Sequence, residues 1–384
     1  MVKIKTLLIH PGLVPYRVDL FNRLGQEVDL NVVFLSDNIF YYPEFDLDNV
    51  KRSLRCRYQI LPSHKLFKNY HFATALKKNI SDFDPDVVVT HEFSYVTLWL
   101  ILHRIFHRKR FAHLLWTTEN VPLFETRGLI RRVIRKFCSS SVESLLVYSE
   151  EVAEKFINQY KIDPEKVFIC SNLQQEEIFR AKLTKALTQV AQCIDEYNLG
   201  GKKVVLYVGR LNRRKNLKSL LKAFSGICTK DSSVVLAFVG EGPERKNLES
   251  LAVSLGIIEN VKFLGHCQGY DLLVWYIIGS VFVLPSVWEP YGAVVNEALL
   301  SGMPVLCSSE AGSRVLINGG NNGYVYNPYD IKMLSALLEK ILKASLPIDS
   351  QSIKTRESLM PVSFGRDLNS FLNAVTYAAK QKGF

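Results

Sequence analysis

The chain has 384 residues, 48% of them hydrophobic and 22% charged, and a formal net charge of +11. That length exceeds one typical core and predicts two domains, and the hydrophobic share excludes a disordered chain. Seven scattered cysteines without a Cys-x-x-Cys pair point to neither a zinc site nor a disulfide framework, and they fit a reducing cytoplasm.

The first ten residues join a basic start to an apolar run. The run is short and lacks a small-residue cleavage site, so Val2 to Ile9 reads as a first strand rather than a signal peptide. His10-Pro11-Gly12-Leu13-Val14-Pro15-Tyr16-Arg17 turns from it into a helix over 16–25. Further strands are expected at Leu30 to Leu35, Val87 to Val89, Phe111 to Leu115, Ser144 to Tyr148 and Val167 to Cys170, with helices at 70–81, 95–106, 128–138 and 150–160. The stretch 95–106 is broken by His103-Arg104, and no apolar run reaches the roughly 18 residues that span a bilayer.

Two basic segments interleave charge with large apolar residues: 103–111, and 127–137 with Ile130, Ile134 and Phe137 on one helical face. That is the composition of an interfacial membrane helix, and an anionic membrane surface is one expected partner. No RNP-type motif, helix-turn-helix signal or zinc finger supports nucleic acid.

A domain boundary is expected near Leu173. Residues 174–202 are polar and weakly periodic and read as a linker. Beyond them Val204 to Val208 ends in Gly209-Arg210-Leu211-Asn212-Arg213-Arg214-Lys215-Asn216, and a helix follows with Leu217, Leu220, Leu221 and Phe224 on one face. Val234 to Val239 runs into Gly240-Glu241-Gly242-Pro243, and Val261 to Leu264 runs into Gly265-His266. Val281 to Leu284 leads to Glu289-Pro290-Tyr291-Gly292-Ala293-Val294-Val295-Asn296-Glu297 and a helix stopped by Gly302. Pro304-Val305-Leu306 and Tyr324-Val325-Tyr326 follow, and a last helix is expected from Val362 to Lys380.

Strands alternating with helices predict a parallel sheet covered on both faces, in which ligands bind beyond the carboxyl ends of the strands. Arg210, Gly240, His266 and Glu289 all follow strand ends, so they can meet in one crevice. Arg210 offers a planar fork for phosphate oxygens and Lys215 a point charge. The helix start at Gly292, Ala293 and Val294 offers free N–H groups, and the carboxylates of Glu289 and Glu297 can accept from a polyol.

The pair Glu289 and Glu297, eight positions apart, resembles the Glu-x7-Glu signature of retaining glycosyltransferases of family 4, and Gly209-Arg210-Leu211 with Lys215 resembles the family's Gly-Arg-Leu…Lys signature. The resemblance is strong over 202–327 and weaker over 1–172. It implies the GT-B fold, α/β with two Rossmann-like domains facing across a cleft: residues 1–173 for the acceptor, with the C-terminal helix in 362–384 packing back on them, and 174–361 for a nucleotide-sugar donor. It implies that Arg210 and Lys215 hold the donor diphosphate, that Glu297 binds the ribose hydroxyls, and that Glu289 accepts from a donor-sugar hydroxyl. Gly240 and His266 join the donor site, and Gly12 would face the diphosphate from the first domain.

Many members carry a histidine after the strand that here reads Phe111 to Trp116. This chain continues Thr117-Thr118-Glu119-Asn120, which leaves Glu119 as the closest acidic substitute and His91, in the pair His91-Glu92, as a second catalytic candidate. The implied function is retaining transfer from a UDP- or GDP-sugar to a saccharide or lipid-linked saccharide in surface polysaccharide assembly. It calls for no cofactor and no dedicated metal, in the cytoplasm or on the inner membrane face. A nucleotide-sugar epimerase, a pyridoxal-phosphate phosphorylase and a non-catalytic nucleotide-sugar-binding protein remain as alternatives.

Overall fold

The apolar runs of the first half form strands buried on both faces. Val87–His91 is the clearest case: three valines and a threonine, all sealed, as a parallel strand covered by helices requires. A computed structural model of the chain describes residues 3–36, 47–61, 68–107, 110–121, 124, 128–349 and 353–384. Arg108, Lys109 and Arg127 of the two basic segments lie outside the described residues.

The chain divides into two units, residues 1–174 with 364–384, and residues 175–363. In the first, β1 (Lys5–His10), α1 (Val18–Glu27), β2 (Asp29–Phe34), α2 (Leu47–Ser53), β3 (Arg57–Ile60), α3 (Lys68–Phe83) and β4 (Val87–His91) are followed by α4 (Tyr95–His107), β5 (Ala112–Trp116), α5 (Leu129–Ser141), β6 (Ser144–Val147), α6 (Glu150–Tyr160) and β7 (Val167–Ile169). A short 3-10 turn, Pro15–Arg17, leads into α1. The sheet is parallel, in the order β3-β2-β1-β4-β5-β6-β7.

The second unit opens not with a linker but with two helices, α7 (Glu176–Ala186) and α8 (Val190–Tyr197). Phe179, Leu183, Ala186, Val190 and Ile194 recur every three or four residues and are buried, a periodicity hidden by the polar residues between them. β8 (Lys203–Val208), α9 (Leu217–Cys228), β9 (Val234–Val239), α10 (Arg245–Ser254), β10 (Val261–Gly265), α11 (Gly269–Ile278), β11 (Val281–Leu284), α12 (Val294–Leu300), β12 (Val305–Ser308), β13 (Gly323–Tyr326) and α13 (Ile331–Ala344) complete it. Its sheet is again parallel, β10-β9-β8-β11-β12-β13.

In both sheets the strand order reverses beside the first strand, between β1 and β4 and between β8 and β11. Such switch points open a crevice at the carboxyl ends of the strands, where ligands of this architecture bind. The last helix, α14 (Phe364–Lys380), belongs to the first unit. Phe371 meets Trp116 edge-on at 5.3 Å, and Ser144 Oγ donates to the Ala374 carbonyl at 3.0 Å.

Candidate functional site

At the switch point of the second unit, the loop after β8 carries Arg210 and Lys215, and the loop after β11 carries Glu289. Lys215 Nζ and the Glu289 carboxylate form an ion pair, with the side chains 20% and 13% exposed. At that partial burial both charges keep contact with solvent and neither is sealed, so a stronger anion can compete for the lysine. The two loops are stitched together: Val287 N–H donates to the Arg214 carbonyl at 2.9 Å, and the Arg214 guanidinium lies 4.9 Å from the Trp288 ring. Arg210 is exposed, and its carbonyl accepts from Tyr207 Oη at 3.1 Å.

Glycines set the backbone around this pair. Gly240 has φ +138°, and a Cβ there would overlap the carbonyl of Gly209, itself at φ +143°. Gly240 N–H in turn donates to Gly265 at 2.6 Å, which brings the loop carrying the exposed His266 beside the first two. Gly292 has φ +94°, and a Cβ would lie 2.7 Å from Leu284 Cδ2. Only glycine lets these chain segments approach so closely at such dihedrals. Gly292 and Ala293 lead into α12, a helix of seven residues beginning at Val294.

Glu297, on α12, is partly exposed and accepts from Tyr276 Oη at 2.7 Å. Burial first, and then the charge of Glu297, push the Tyr276 hydroxyl well above its usual range, so it stays a donor and orients the carboxylate. Tyr207 is raised in the same way, by burial and then by Glu289. These two buried tyrosines escape a motif reading because they sit in apolar runs. The signal was the lone polar tip among strand and helix core residues.

The candidates of the first unit are placed differently. Glu119 is 2% exposed and works as a counter-ion: Arg135 Nε reaches Oε2 at 2.6 Å, and Arg135 Nη2 and Arg131 Nη2 reach Oε1 at 3.0 and 3.1 Å. It is not an accessible acid, because both its oxygens hold α5 in place. Arg135 is itself fully buried and donates also to the Phe124 carbonyl at 3.0 Å.

His91 closes β4 with both ring nitrogens buried, and burial followed by the charge of Arg17 lowers it to about 3. It is therefore neutral near pH 7. Gly12 is buried too, its carbonyl 2.7 Å from His10 Nδ1. Glu92, next to His91, adopts φ +64° after β4 and accepts from Thr117 Oγ1 and the Thr118 N–H at 3.1 and 2.8 Å. Among the described residues no cluster of histidine, cysteine and carboxylate has a metal-holding arrangement.

The basic segments are also redrawn. His103 is buried against Trp99, Phe111 is buried, and Arg104 is bound to Glu143. Ile134 turns inward, whereas Leu129, Ile130, Val133 and Phe137 of α5 stand 78, 79, 67 and 42% exposed. Leu102, Ile105 and Phe106 of α4, which packs on α5, are exposed too. Arg132 and Lys136 remain exposed, while Arg135 points into the core. Among the described residues no helix is long and apolar enough to cross a membrane.

Residues 194–358 match the family Glycosyl transferases group 1, and residues 18–173 match Glycosyltransferase Family 4. An uncharacterized glycosyltransferase of Methanocaldococcus jannaschii is 38% identical over 132 residues, 34% of this chain and 34% of that protein. The sulfoquinovosyl transferase of Arabidopsis thaliana is 35% identical over 144 residues, 37% of this chain and 27% of that protein. The matched stretches thus span about a third of these relatives' length. Over nearly its whole length the chain superposes on the Anabaena protein HepE in complex with UDP, with a TM-score of 0.68, 16% identity and 98% of each chain covered.

Proposed function

Because the chain belongs to the group 1 and family 4 glycosyltransferases and has their GT-B fold, we propose that it transfers a sugar from a nucleoside-diphosphate donor to a saccharide acceptor with retention of configuration. The observation that carries this reading is the Lys215–Glu289 pair at the switch point of the second unit, with Arg210 on the same loop as the lysine. A diphosphate leaving group gathers negative charge as the glycosidic bond breaks. Two cations fixed beside it stabilise that charge more than they stabilise the ground state. On this reading Lys215 turns from Glu289 to the diphosphate, and Glu289, released, accepts from a hydroxyl of the donor sugar. Glu297, oriented by Tyr276, takes the ribose hydroxyls. Arg210 and Lys215 supply the charge neutralisation that a metal would otherwise provide, and the reading needs no further cofactor.

The donor nucleoside on this reading is uridine or guanosine. Titration of thermal stability with UDP, GDP and ADP tests this, since a ligand of the native state raises the midpoint with its concentration. The expected result is a shift with UDP or GDP that Glu297→Ala weakens. No shift with any of the three would sink the donor site. Sugar released or rearranged without an acceptor would favour an epimerase.

The acceptor is lipid-linked on this reading, as in surface polysaccharide assembly at the inner face of a membrane. Its support is the exposed apolar residues of α4 and α5 together with the exposed Arg132, Lys136 and Arg110, a composition suited to an anionic bilayer surface. Each exposed basic residue adds about 1 kcal/mol of attraction there. Sedimentation with vesicles rich in phosphatidylserine at low salt should pull the protein down, and Arg132→Glu with Lys136→Glu should release it. Equal recovery of both proteins in the supernatant would remove the membrane from the account.

A further inference from the structure

The switch point of the first unit holds a second group of side chains that neither the donor reading nor the membrane reading uses. Arg17, in the turn before α1, is 2% exposed. Its Nη2 donates to Tyr148 Oη at 2.6 Å, and its guanidinium lies 4.0 Å from the Trp116 ring centroid. Nε and Nη1 have no hydrogen-bond partner among the described residues, and Arg17 makes no ion pair there. Both nitrogens of His91 and Nε1 of Trp116 are likewise buried without a partner.

These groups converge. His91 packs 4.8 Å from His10 and 5.2 Å from Trp116, and His10 and Trp116 are 6.1 Å apart. The ends of β1, β4 and β5, the residue after β6 and the entry to α1 supply one member each. Buried donors are ordinarily satisfied, and a guanidinium taken out of water without an anion is costly. The carboxylates nearest in electrostatic reach are committed elsewhere. Asp367 accepts from Leu173 N–H at 3.3 Å, and Glu92 holds Thr117 and Thr118. What the cluster lacks is acceptor oxygen, several lone pairs at once, beside a planar fork of donors. His91 is the one of these residues that is only partly covered.

We propose that Arg17, Trp116 and His91 form an oxyanion site that takes a phosphate or carboxylate group, separate from the donor motifs of the second unit. Arg17 meets the group with Nε and Nη1, its remaining fork edge, while Tyr148 fixes the other arm. Trp116 Nε1 and the protonated nitrogen of neutral His91 donate from the sides. The oxyanion is carried by an acceptor molecule or is free inorganic phosphate. The inference stands on the first unit alone and survives if the donor assignment fails.

The probe is inorganic phosphate. Thermal stability of the full chain is followed against phosphate at constant ionic strength, for wild type, Arg17→Lys and Trp116→Phe. The second variant keeps an aromatic ring and removes the N–H donor together with part of the indole. Wild type should show a saturable rise, and each variant about tenfold weaker affinity, the worth of one hydrogen bond to a charged group. If Arg17→Lys fails to fold, Trp116→Phe decides alone. Repeating the wild-type titration under saturating UDP separates the sources. A phosphate response that persists means a site apart from the donor's diphosphate, and one that UDP abolishes overturns the separate site. No saturable response in wild type, or equal responses in all three proteins, overturns the oxyanion site itself. With the site established, competition between phosphate and a phosphorylated or uronic-acid acceptor analogue assigns the group to the acceptor, and its absence to free phosphate.

Discussion

The two units wind their sheets in the same order around the same kind of switch point, yet they furnish it with opposite chemistry. In the second unit the charges stand near the surface. Lys215 balances Glu289, Arg210 is exposed, and glycines at 209, 240 and 292 clear the backbone around them. In the first unit the strand ends carry His10, His91 and Trp116 packed over a buried arginine, and a second buried arginine, Arg135, is bound to Glu119. A charge held at the surface can exchange partners at small cost. A charge buried in the core can do so only if its surroundings rearrange or a ligand replaces the missing partner. The same fold therefore offers one site built for exchange and one built for retention.

The largest contrast should appear on removing one charge from each. Arg135→Met leaves Glu119 buried without the guanidinium that holds both its oxygens. We expect a loss of about 3 kcal/mol in urea unfolding, whereas Arg210→Met, on the exposed loop, should cost less than about 0.5 kcal/mol. Equal losses would erase the distinction. In activity the order should reverse. Lys215→Met should lower kcat about 10²- to 10³-fold with the fold intact, and a decrease of only a few-fold would deprive the second switch point of its catalytic part.

Acid should separate the units next. Burial is the main cause holding His10, His91 and His113 below the usual value, His91 at about 3, with further lowering from His91 and then Arg17 for His10, from Arg17 for His91 and from Arg104 for His113. Their folded forms bind fewer protons than the unfolded chain. Their contribution is fully present above about pH 6.5 and is lost as pH falls from there toward the folded values. At pH 5 the loss from His91 alone is about 2 kcal/mol. The first unit should then melt ahead of the second, whose His266 is exposed. A single transition that ignores pH between 7 and 5 would contradict this.

A last effect has the opposite sign. Burial raises Asp367 on α14 from 3.8 to about 6. A carboxyl raised in this way adds stability below its unfolded value and loses it as pH rises through the folded one. Asp367→Asn should thus raise the melting midpoint at pH 7.5, by the equivalent of about 3 kcal/mol, and leave it nearly unchanged near pH 4. A midpoint that falls at both pH values would show that the ionised carboxylate is needed to hold the Ser171–Leu173 turn.

Much of the scaffold was legible because burial on both faces leaves an unbroken apolar run. β4, β8, β9 and β11 are such runs, and each ends where polar or glycine residues begin. The helices α7 and α8 were not legible as helices, because the apolar stripe that α11 covers is narrow and the rest of their surface is polar. Of the candidate site, the meeting of Lys215 with Glu289 and of Gly240 with Gly209 and Gly265 follows from strand order once every strand is parallel. What holds Glu297 does not follow, since Tyr276 lies 21 residues away on α11.

The residues alone determined an alternating α/β chain with two sheets, the loops that carry cations and carboxylates, and a family signature, because these depend on local periodicity and on the chemistry of short motifs. Only the tertiary structure decided which charges stay at the surface and which are sealed. Arg132 and Arg135 are three residues apart on one helix, yet one faces solvent and the other is buried against Glu119 and Phe124. The charge is the same at both positions. The side of the helix that the core covers sets the dielectric around it and the partners within reach.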